Sequence, residues 1–236
     1  MYTQEAIILA GGKGSRLKEV VSEQPKVMAS VNGRPFLEYI LDYLTEYIFE
    51  HVVIAVSHMK EQIMDHFGDD YKGIKIDYAI EEEPLGTGGG IVKAFELIHG
   101  RRAFVLNGDT MFRINLIRQF DFHQIKQTDF SIVLRHVEDV SRYGSVKVND
   151  NKKIVKFHEK GKKTGKGLIN GGVYLINRRF FEKNPFPEKF SLEKDCLETL
   201  VETGQFYGLD CKQYFIDIGI PEDYEKAQHD FKTFNY

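Results

Sequence analysis

The 236-residue chain has few cysteines and no long apolar run. Its two cysteines, Cys196 and Cys211, have neither a metal-binding nor a redox spacing, so reduced thiols are expected, as in a cytoplasm. No apolar run approaches the roughly 20 residues of a membrane-spanning helix, and the first apolar stretch, residues 6–10, is too short for a secretory signal. These absences predict a cytoplasmic protein with no membrane as a partner.

The chain also lacks an excess of either charge, with 32 Lys and Arg against 35 Asp and Glu. This balance gives no electrostatic reason to expect nucleic acid as a partner. With 42% hydrophobic and 28% charged residues, the composition is that of an ordinary globular protein. No linker, repeat or low-complexity tract interrupts it. We therefore expect one domain, residues 1–236, with no extra C-terminal domain, and homo-oligomer formation stays open.

The apolar pattern of the first half predicts strands that alternate with helices. Residues 5–10, apolar from Ala6 onward, are typical of a strand buried on both faces of a parallel sheet. Further strands are predicted over residues 51–56, 74–80 and 103–107, with helices over 37–48, 59–67 and 87–98. This alternation predicts a Rossmann-like α/β fold.

After residue 129 strands dominate, over residues 130–136, 145–148, 153–158 and 168–176, and helices are expected only over 191–203 and 221–231. The fold class expected is therefore a single-domain, mixed but mainly parallel sheet flanked by helices.

A glycine-rich loop follows the first strand. Its glycines let backbone N–H groups approach phosphate closely. The loop is not a Walker A motif, and the dinucleotide fingerprint fails because Leu17 stands at the third glycine position. Three cations beside the loop, Lys13, Arg16 and Lys26, suit a triphosphate better than a pyrophosphate held by backbone alone. The loop therefore predicts a nucleoside triphosphate as a partner.

An ordered set of motifs across nearly the whole chain resembles the sugar-phosphate nucleotidyltransferases. The set comprises GGKGSRL from Gly11, Pro25-Lys26, PLGTGG from Pro84, Asn107-Gly-Asp109, Tyr143-Gly144, Glu159-Lys160, NGGVY from Asn170 and DIGIPE from Asp217. These enzymes join a sugar 1-phosphate to a nucleoside triphosphate and release pyrophosphate. The resemblance implies a nucleotide-binding half, residues 1–110, and a sugar-phosphate-binding half, residues 111–236.

The resemblance also implies roles for individual residues. Asp109 ends a buried strand at the edge where open α/β sheets bind ligands, and an aspartate there is a natural Mg²⁺ ligand. Asp217 is implied to share that Mg²⁺, and Arg16 and Lys26 are implied to act in catalysis on the phosphates. The implied nucleotide-binding residues are Ala10, Gly11, Gly12, Gly14, Ser15, Pro84, Gly86 and Thr87. The implied sugar-phosphate-binding residues are Gly144, Glu159, Lys160, Asn170 and Gly171, and Arg135, His136, Arg142 and Tyr143 are further candidates to face the sugar.

The choice of base is predicted from two glutamates before Pro84. A guanine edge offers two donors and a carboxylate only accepts, so Glu82 or Glu83 would suit guanine. The alternative is that both are surface charges in an acidic run with Glu81. The segment EEPLGTGG resembles mannose-1-phosphate guanylyltransferases. The segments KGLINGGVYLI and FIDIGIPEDY resemble guanylyltransferases that act on D-glycero-α-D-manno-heptose 1-phosphate and make GDP-heptose for cell-surface glycans.

Three other functions fit parts of the sequence. A uridylyl- or thymidylyltransferase would keep the family and change the base. A glycosyltransferase usually has two metal-binding aspartates one residue apart, whereas Asn107-Gly-Asp109 supplies one. A non-catalytic regulatory subunit that binds a nucleotide sugar would be expected to have lost Arg16, Lys26 or the metal aspartates, and all are present. The sequence therefore favours guanylyl transfer.

Overall fold

The computed structural model describes residues 4–12 and 24–234. The described part of the chain contains a ten-stranded sheet with helices on both faces. The strands and helices are β1 (Glu5–Leu9), β2 (Ser30–Val31), β3 (Arg34–Pro35), α1 (Phe36–Thr45), β4 (His51–Val56), α2 (Lys60–Phe67), β5 (Asp70–Tyr71), β6 (Ile74–Ile80), α3 (Gly86–Phe95), β7 (Arg102–Asn107), β8 (Thr110–Phe112), α4 (Leu116–Ile125), β9 (Phe130–Val137), β10 (Ser145–Val148), β11 (Ile154–His158), β12 (Gly167–Asn177), α5 (Arg179–Lys183), a π-helix (Leu192–Leu197), α6 (Glu198–Leu200), β13 (Phe206–Cys211), β14 (Phe215–Asp217) and α7 (Pro221–Asp230).

Four strands form the parallel centre of the sheet, in the order β7-β1-β4-β6. All six residues of β4 are buried, as expected where helices cover both faces. The long strand β12 continues the sheet beyond β7, and it runs antiparallel to β7, β9 and β10. This arrangement confirms the predicted mixed, mainly parallel, single-domain α/β fold.

Two short strands outside the main sheet bring distant parts of the chain together. Strands β8 and β14 pair antiparallel, with Thr110 opposite Asp217. The backbone N–H of Ile218 also donates to the carbonyl of Asp109 at 3.0 Å. This pairing brings Asp109 and Asp217 to neighbouring positions.

Several predicted elements differ from the structure. The predicted helix 37–48 ends at Thr45, because Ile48 adopts a left-handed φ of 55° and is 74% exposed. Helix α3 ends at Phe95, and the predicted helix 191–203 is a π-helix followed by the single turn α6.

Among the elements that were not predicted, α4 and β13 are the longest. Helix α4 begins where the Asn115 side chain accepts a hydrogen bond from the N–H of Arg118, a capping signal that the apolar pattern does not reveal. Strand β13 pairs parallel with β9. Within the described ranges, no helix is long and apolar enough to cross a bilayer.

Candidate active site

Two adjoining cavities lie at the carboxyl edge of the parallel strands. The first has a volume of about 410 Å³ and the second about 540 Å³. Lys26, Thr87, Asn107 and Asp109 line both cavities. A molecule in either cavity would therefore lie next to the same ammonium and carboxylate.

The first cavity lies between the glycine loop and the start of α3. Its lining residues are Leu9, Ala10, Gly11, Gly12, Lys26, Val27, Glu81, Pro84, Gly86, Thr87, Asn107, Asp109 and Gly219. The predicted nucleotide-binding residues Ala10, Gly11, Gly12, Pro84, Gly86 and Thr87 thus come together. Gly14, Ser15, Arg16 and the neighbouring Lys13 lie outside the described residues.

Glu82 and Glu83, which were predicted to read the base, do not line this cavity. The side chain of Glu82 is 82% exposed and pairs with Lys60 at 3.2 Å, and Glu83 is exposed. Both follow the end of β6, where the chain turns outward before α3. Both residues are therefore surface charges, which was the alternative interpretation of the acidic run.

Glu81, the first residue of the acidic run, is the one of its three glutamates that lines the first cavity. It is buried, and its Oε2 accepts a hydrogen bond from the Leu85 N–H at 2.8 Å. Its Oε1 accepts no hydrogen bond from any described residue. Burial raises the pKa of Glu81, and the Leu85 bond opposes that rise. Glu81 directly follows β6, and this position at the carboxyl end of a parallel strand was the sequence signal that could have identified it.

The second cavity collects polar side chains from both halves of the chain. All predicted sugar-phosphate residues line it, namely Gly144, Glu159, Lys160, Asn170 and Gly171, together with the candidates Arg142 and Tyr143. Arg135 and His136 do not, and His136 pairs with Asp210 instead. Residues lining this cavity that the sequence analysis did not single out are Thr110, Gly172, Ser191, Glu193, Lys194 and Phe215.

Asn170 is held in place by three hydrogen bonds. Its side chain donates to the Tyr174 hydroxyl at 2.7 Å and accepts from the Gly172 N–H at 3.0 Å, and its N–H donates to the Gly144 carbonyl. Burial, with the neighbouring charge of Glu193, raises the pKa of Glu159. The cavity therefore combines fixed amide groups with carboxylates and cations, a set that suits a hydroxylated anion.

Lys26 lies between the two aspartates where the cavities meet. Its Nζ is 2.6 Å from Asp109 Oδ2 and 3.4 Å from Asp217 Oδ1. Burial opposes the charge of Lys26, but the attraction of both carboxylates outweighs it and raises the lysine pKa. Burial and the like charge of Asp109 raise the pKa of Asp217, whereas Lys26 holds the pKa of Asp109 below its usual value.

The backbone at Gly219 lies close to this cluster. The Gly219 N–H donates to Asp217 Oδ1 at 2.8 Å. A Cβ at position 219 would lie 2.9 Å from that oxygen and 3.1 Å from the Lys26 Nζ. The glycine therefore allows the backbone to approach both groups and fix the carboxylate.

The donor set fits a divalent cation. Two carboxylates converge on the Lys26 ammonium, and burial together with the like charge of Asp109 raises the pKa of Asp217 in spite of that ammonium. Carboxylate oxygens are the ligands that Mg²⁺ prefers, usually one or two of them beside substrate phosphates. Asp109 and Asp217 are thus the residues that could hold such an ion.

The carboxyl edge of this parallel sheet carries glycines that let backbone approach a phosphate, together with two aspartates and a lysine. This combination defines a class of nucleotide-binding enzyme. Comparison with known proteins narrows this class, since residues 5–233 match the family described as nucleotidyl transferase. The chain belongs to the nucleotidyl transferase family.

Individual relatives cover the whole chain. D-glycero-alpha-D-manno-heptose 1-phosphate guanylyltransferase of Aneurinibacillus thermoaerophilus is 44% identical over 98% of this chain and 99% of the relative. The Campylobacter jejuni protein of the same name is 41% identical over 93% of this chain and 96% of its own length. The crystal structure of HddC from Yersinia pseudotuberculosis has a TM-score of 0.87 and 38% identity, covering 98% of this chain and 100% of that one. A second HddC structure, complexed with GMP-PN, has a TM-score of 0.86.

Proposed function

We propose that this chain transfers GMP from GTP to D-glycero-α-D-manno-heptose 1-phosphate, giving GDP-heptose and pyrophosphate. The observation that carries this proposal is the 44% identity to a relative named for that activity, over essentially the full length of both chains. The buried carboxylate of Glu81 in the first cavity is consistent with guanine. The product would serve cell-surface glycan synthesis, and the reaction would take place in the cytoplasm.

GTP would occupy the first cavity. The Glu81 oxygen that accepts no bond from a described residue would take a hydrogen bond from the guanine N1–H or 2-amino group. The backbone of Gly11 and Gly12 would approach the phosphates, and Arg16, with Gly14 and Ser15, would contact the triphosphate. The sugar 1-phosphate would occupy the second cavity, with Lys160 on its phosphate and Glu159 and Asn170 on its hydroxyl groups.

The reaction needs no nucleophile from the protein. A phosphate oxygen of the sugar 1-phosphate attacks the α-phosphorus of GTP in line, a new P–O bond forms, and the bond from the α-phosphorus to the bridging oxygen breaks. The bonding electrons leave with pyrophosphate. Catalysis then consists of positioning and charge stabilisation. Because the two cavities meet at Lys26, its ammonium would stabilise the charge that develops at the α-phosphate.

We further propose Mg²⁺ as the cofactor, with Asp109 and Asp217 as its protein ligands. Bound there, the ion would neutralise negative charge on the phosphates. The support is the convergence of the two carboxylates at the junction of the cavities.

The test is pyrophosphate release by the purified chain with Mg²⁺. Five nucleoside triphosphates would be crossed with heptose, mannose, glucose and N-acetylated sugar 1-phosphates. We expect release with GTP and the heptose phosphate, and Asp109→Asn serves as the inactive control.

Other outcomes identify the alternatives. Release with mannose 1-phosphate and GTP would make the chain a mannose-1-phosphate guanylyltransferase. Release with UTP or dTTP would overturn the guanine assignment. Nucleotide binding without release across the grid would favour a regulatory subunit.

A further inference from the structure

A second cluster of metal-ligating side chains lies at the opposite edge of the sheet from the cavities. Glu5 and His51 are the first residues of the parallel strands β1 and β4, and they are paired in register. Register partners in parallel strands point to the same face of a sheet. This is the face that α3 covers, and His99 lies in the turn that follows α3. The topology thus brings Glu5, His51 and His99 together.

The three side chains converge on one point. His51 Nδ1 lies 2.9 Å from Glu5 Oε1, and His99 Nδ1 lies 3.3 Å from the same oxygen. One ligand atom from each residue lies within 4.8 Å of the other two. Four tetrahedral ligands at the usual zinc distances of about 2.0–2.1 Å are roughly 3.4 Å apart. The three atoms could therefore surround an ion after movements of less than about an ångström.

Surrounding groups already orient two of these ligands. The second ring nitrogen of His51, Nε2, lies 3.0 Å from Asp77 Oδ2. Metal-binding histidines usually donate their other ring N–H to a carboxylate in this way, which fixes the tautomer that leaves Nδ1 free to bind. Glu5 is held by the N–H groups of His99 at 2.9 Å and Gly100 at 2.6 Å. The side chains of Glu5 and His51 are 14% and 6% exposed.

We propose that Glu5, His51 and His99 form a site for a divalent transition-metal ion, zinc foremost. Two imidazole nitrogens and one carboxylate oxygen suit zinc better than Mg²⁺, which prefers oxygen ligands alone. The His99 side chain is 75% exposed, so a water molecule can reach the fourth position. Glu5 supplies one negative charge beside the ion, and Asp77 supplies a second that it shares with Lys75. Because the ligands come from β1, β4 and the turn after α3, the ion would fasten that turn to the sheet.

The competing explanation is a hydrogen-bonded cluster with no metal. In that case His51 bridges Glu5 and Asp77 through hydrogen bonds at its two ring nitrogens. Lys75, which pairs with Asp77 at 2.7 Å, would then add to the ion-pair network. The two explanations differ in whether zinc has measurable affinity for this edge of the sheet.

The experiment measures Zn²⁺ binding to metal-stripped protein by isothermal titration calorimetry. Every protein in the comparison carries Asp217→Asn, so that zinc binding at Asp109 and Asp217 is removed. We expect one equivalent of Zn²⁺, with affinity at least 10-fold weaker after His99→Ala and about 10–100-fold weaker after Asp77→Asn. His136→Ala is the matched control, because His136 is also a partly exposed histidine beside an aspartate. It should leave the affinity unchanged.

A second readout uses Co²⁺ in place of zinc, because its visible spectrum reports imidazole ligands and tetrahedral geometry. Circular dichroism checks that the His99→Ala variant folds. The proposal is overturned if Asp217→Asn protein binds no zinc, or if His99→Ala and His136→Ala bind it equally well. Neither result bears on guanylyl transfer, which is measured separately with Mg²⁺.

Discussion

The two cavities differ in how they are built, although they share Lys26 and Asp109. The first is made mostly of backbone and small residues from loops that directly follow parallel strands, with Glu81 as a buried carboxylate. The second combines charged side chains from the segment that follows β11, from the π-helix and from β14. A flat base is recognised by close approach and a few fixed hydrogen bonds, whereas a sugar phosphate needs many polar groups. We therefore expect substitutions in the first cavity to change nucleotide choice and those in the second to change affinity for the sugar phosphate.

The largest effect is expected where the cavities meet. Asp109→Asn should lower turnover by at least about 10³-fold, because a catalytic metal supplies several kcal/mol of charge stabilisation. Pyrophosphate release over a range of Mg²⁺ concentrations measures the effect. Asp121→Asn, an exposed aspartate on α4, is the control. Near-normal turnover of Asp109→Asn would show that this carboxylate is not a metal ligand.

Lys26→Ala should lower kcat by about 10²–10³-fold, as loss of a single preorganised donor does in other enzymes. The KM values for GTP and the sugar phosphate should change much less, because the ammonium would act mainly on charge that develops during the reaction. Steady-state kinetics with each substrate varied in turn provide the measurement. An unchanged kcat with a raised KM for both substrates would reduce Lys26 to ground-state binding.

Glu81→Gln tests base recognition in the first cavity. It should lower kcat/KM for GTP by about 10–100-fold, since a specific base contact contributes about 1–3 kcal/mol. A glutamine can still accept the hydrogen bond from Leu85, so the fold should be kept. Glu83→Gln, on the exposed neighbour, is the matched control. If Glu83→Gln weakened GTP use and Glu81→Gln did not, the prediction that Glu83 contacts guanine would be restored.

Lys160→Ala probes the second cavity. The KM for the sugar 1-phosphate should rise by about 10-fold while the KM for GTP stays constant, because one charge-assisted hydrogen bond is lost. Competition between mannose and heptose 1-phosphates would then reveal whether the discrimination between sugars survives. A matching rise in the KM for GTP would contradict the division into two cavities.

The smallest effects are expected from a change of pH, which should alter Mg²⁺ affinity and GTP affinity separately. The pKa of Asp217 is raised by burial and Asp109, so Mg²⁺ affinity should fall as the pH falls through that raised pKa. The pKa of Glu81 is raised by burial, so GTP affinity should also weaken when this carboxyl takes up a proton. Separate titrations of Mg²⁺ and GTP at several pH values measure the two effects. Glu81→Gln should remove the second and keep the first.

The two cavities also differ in how well the sequence predicts them. The first cavity depends on local segments, so the turn after β1 and the residues around Pro84 could be identified from the chain itself. Glu82 and Glu83, predicted to contact the base, lie outside the first cavity, and Glu81 lines it, because an acidic run does not reveal which of its members faces inward. In the second cavity, Glu193 receives a hydrogen bond from Thr87, more than a hundred residues earlier in the chain. Such contacts depend on tertiary packing and leave no periodic signal. Helix α4 was likewise not predicted, because its start is marked by the Asn115 side-chain cap and not by an apolar pattern.

The pairing of β8 with β14 has a consequence for synthesis of the protein. Asp109 and Asp217 are neighbours in space, but strands β9 to β13 lie between them in the chain. During translation, the glycine loop and β1, β4, β6 and β7 leave the ribosome well before Asp217 does. A nascent chain can therefore form the parallel centre of the sheet while it still lacks the second carboxylate. Catalytic competence would arise only after β14 has emerged and paired with β8, so activity would report that this pairing has formed.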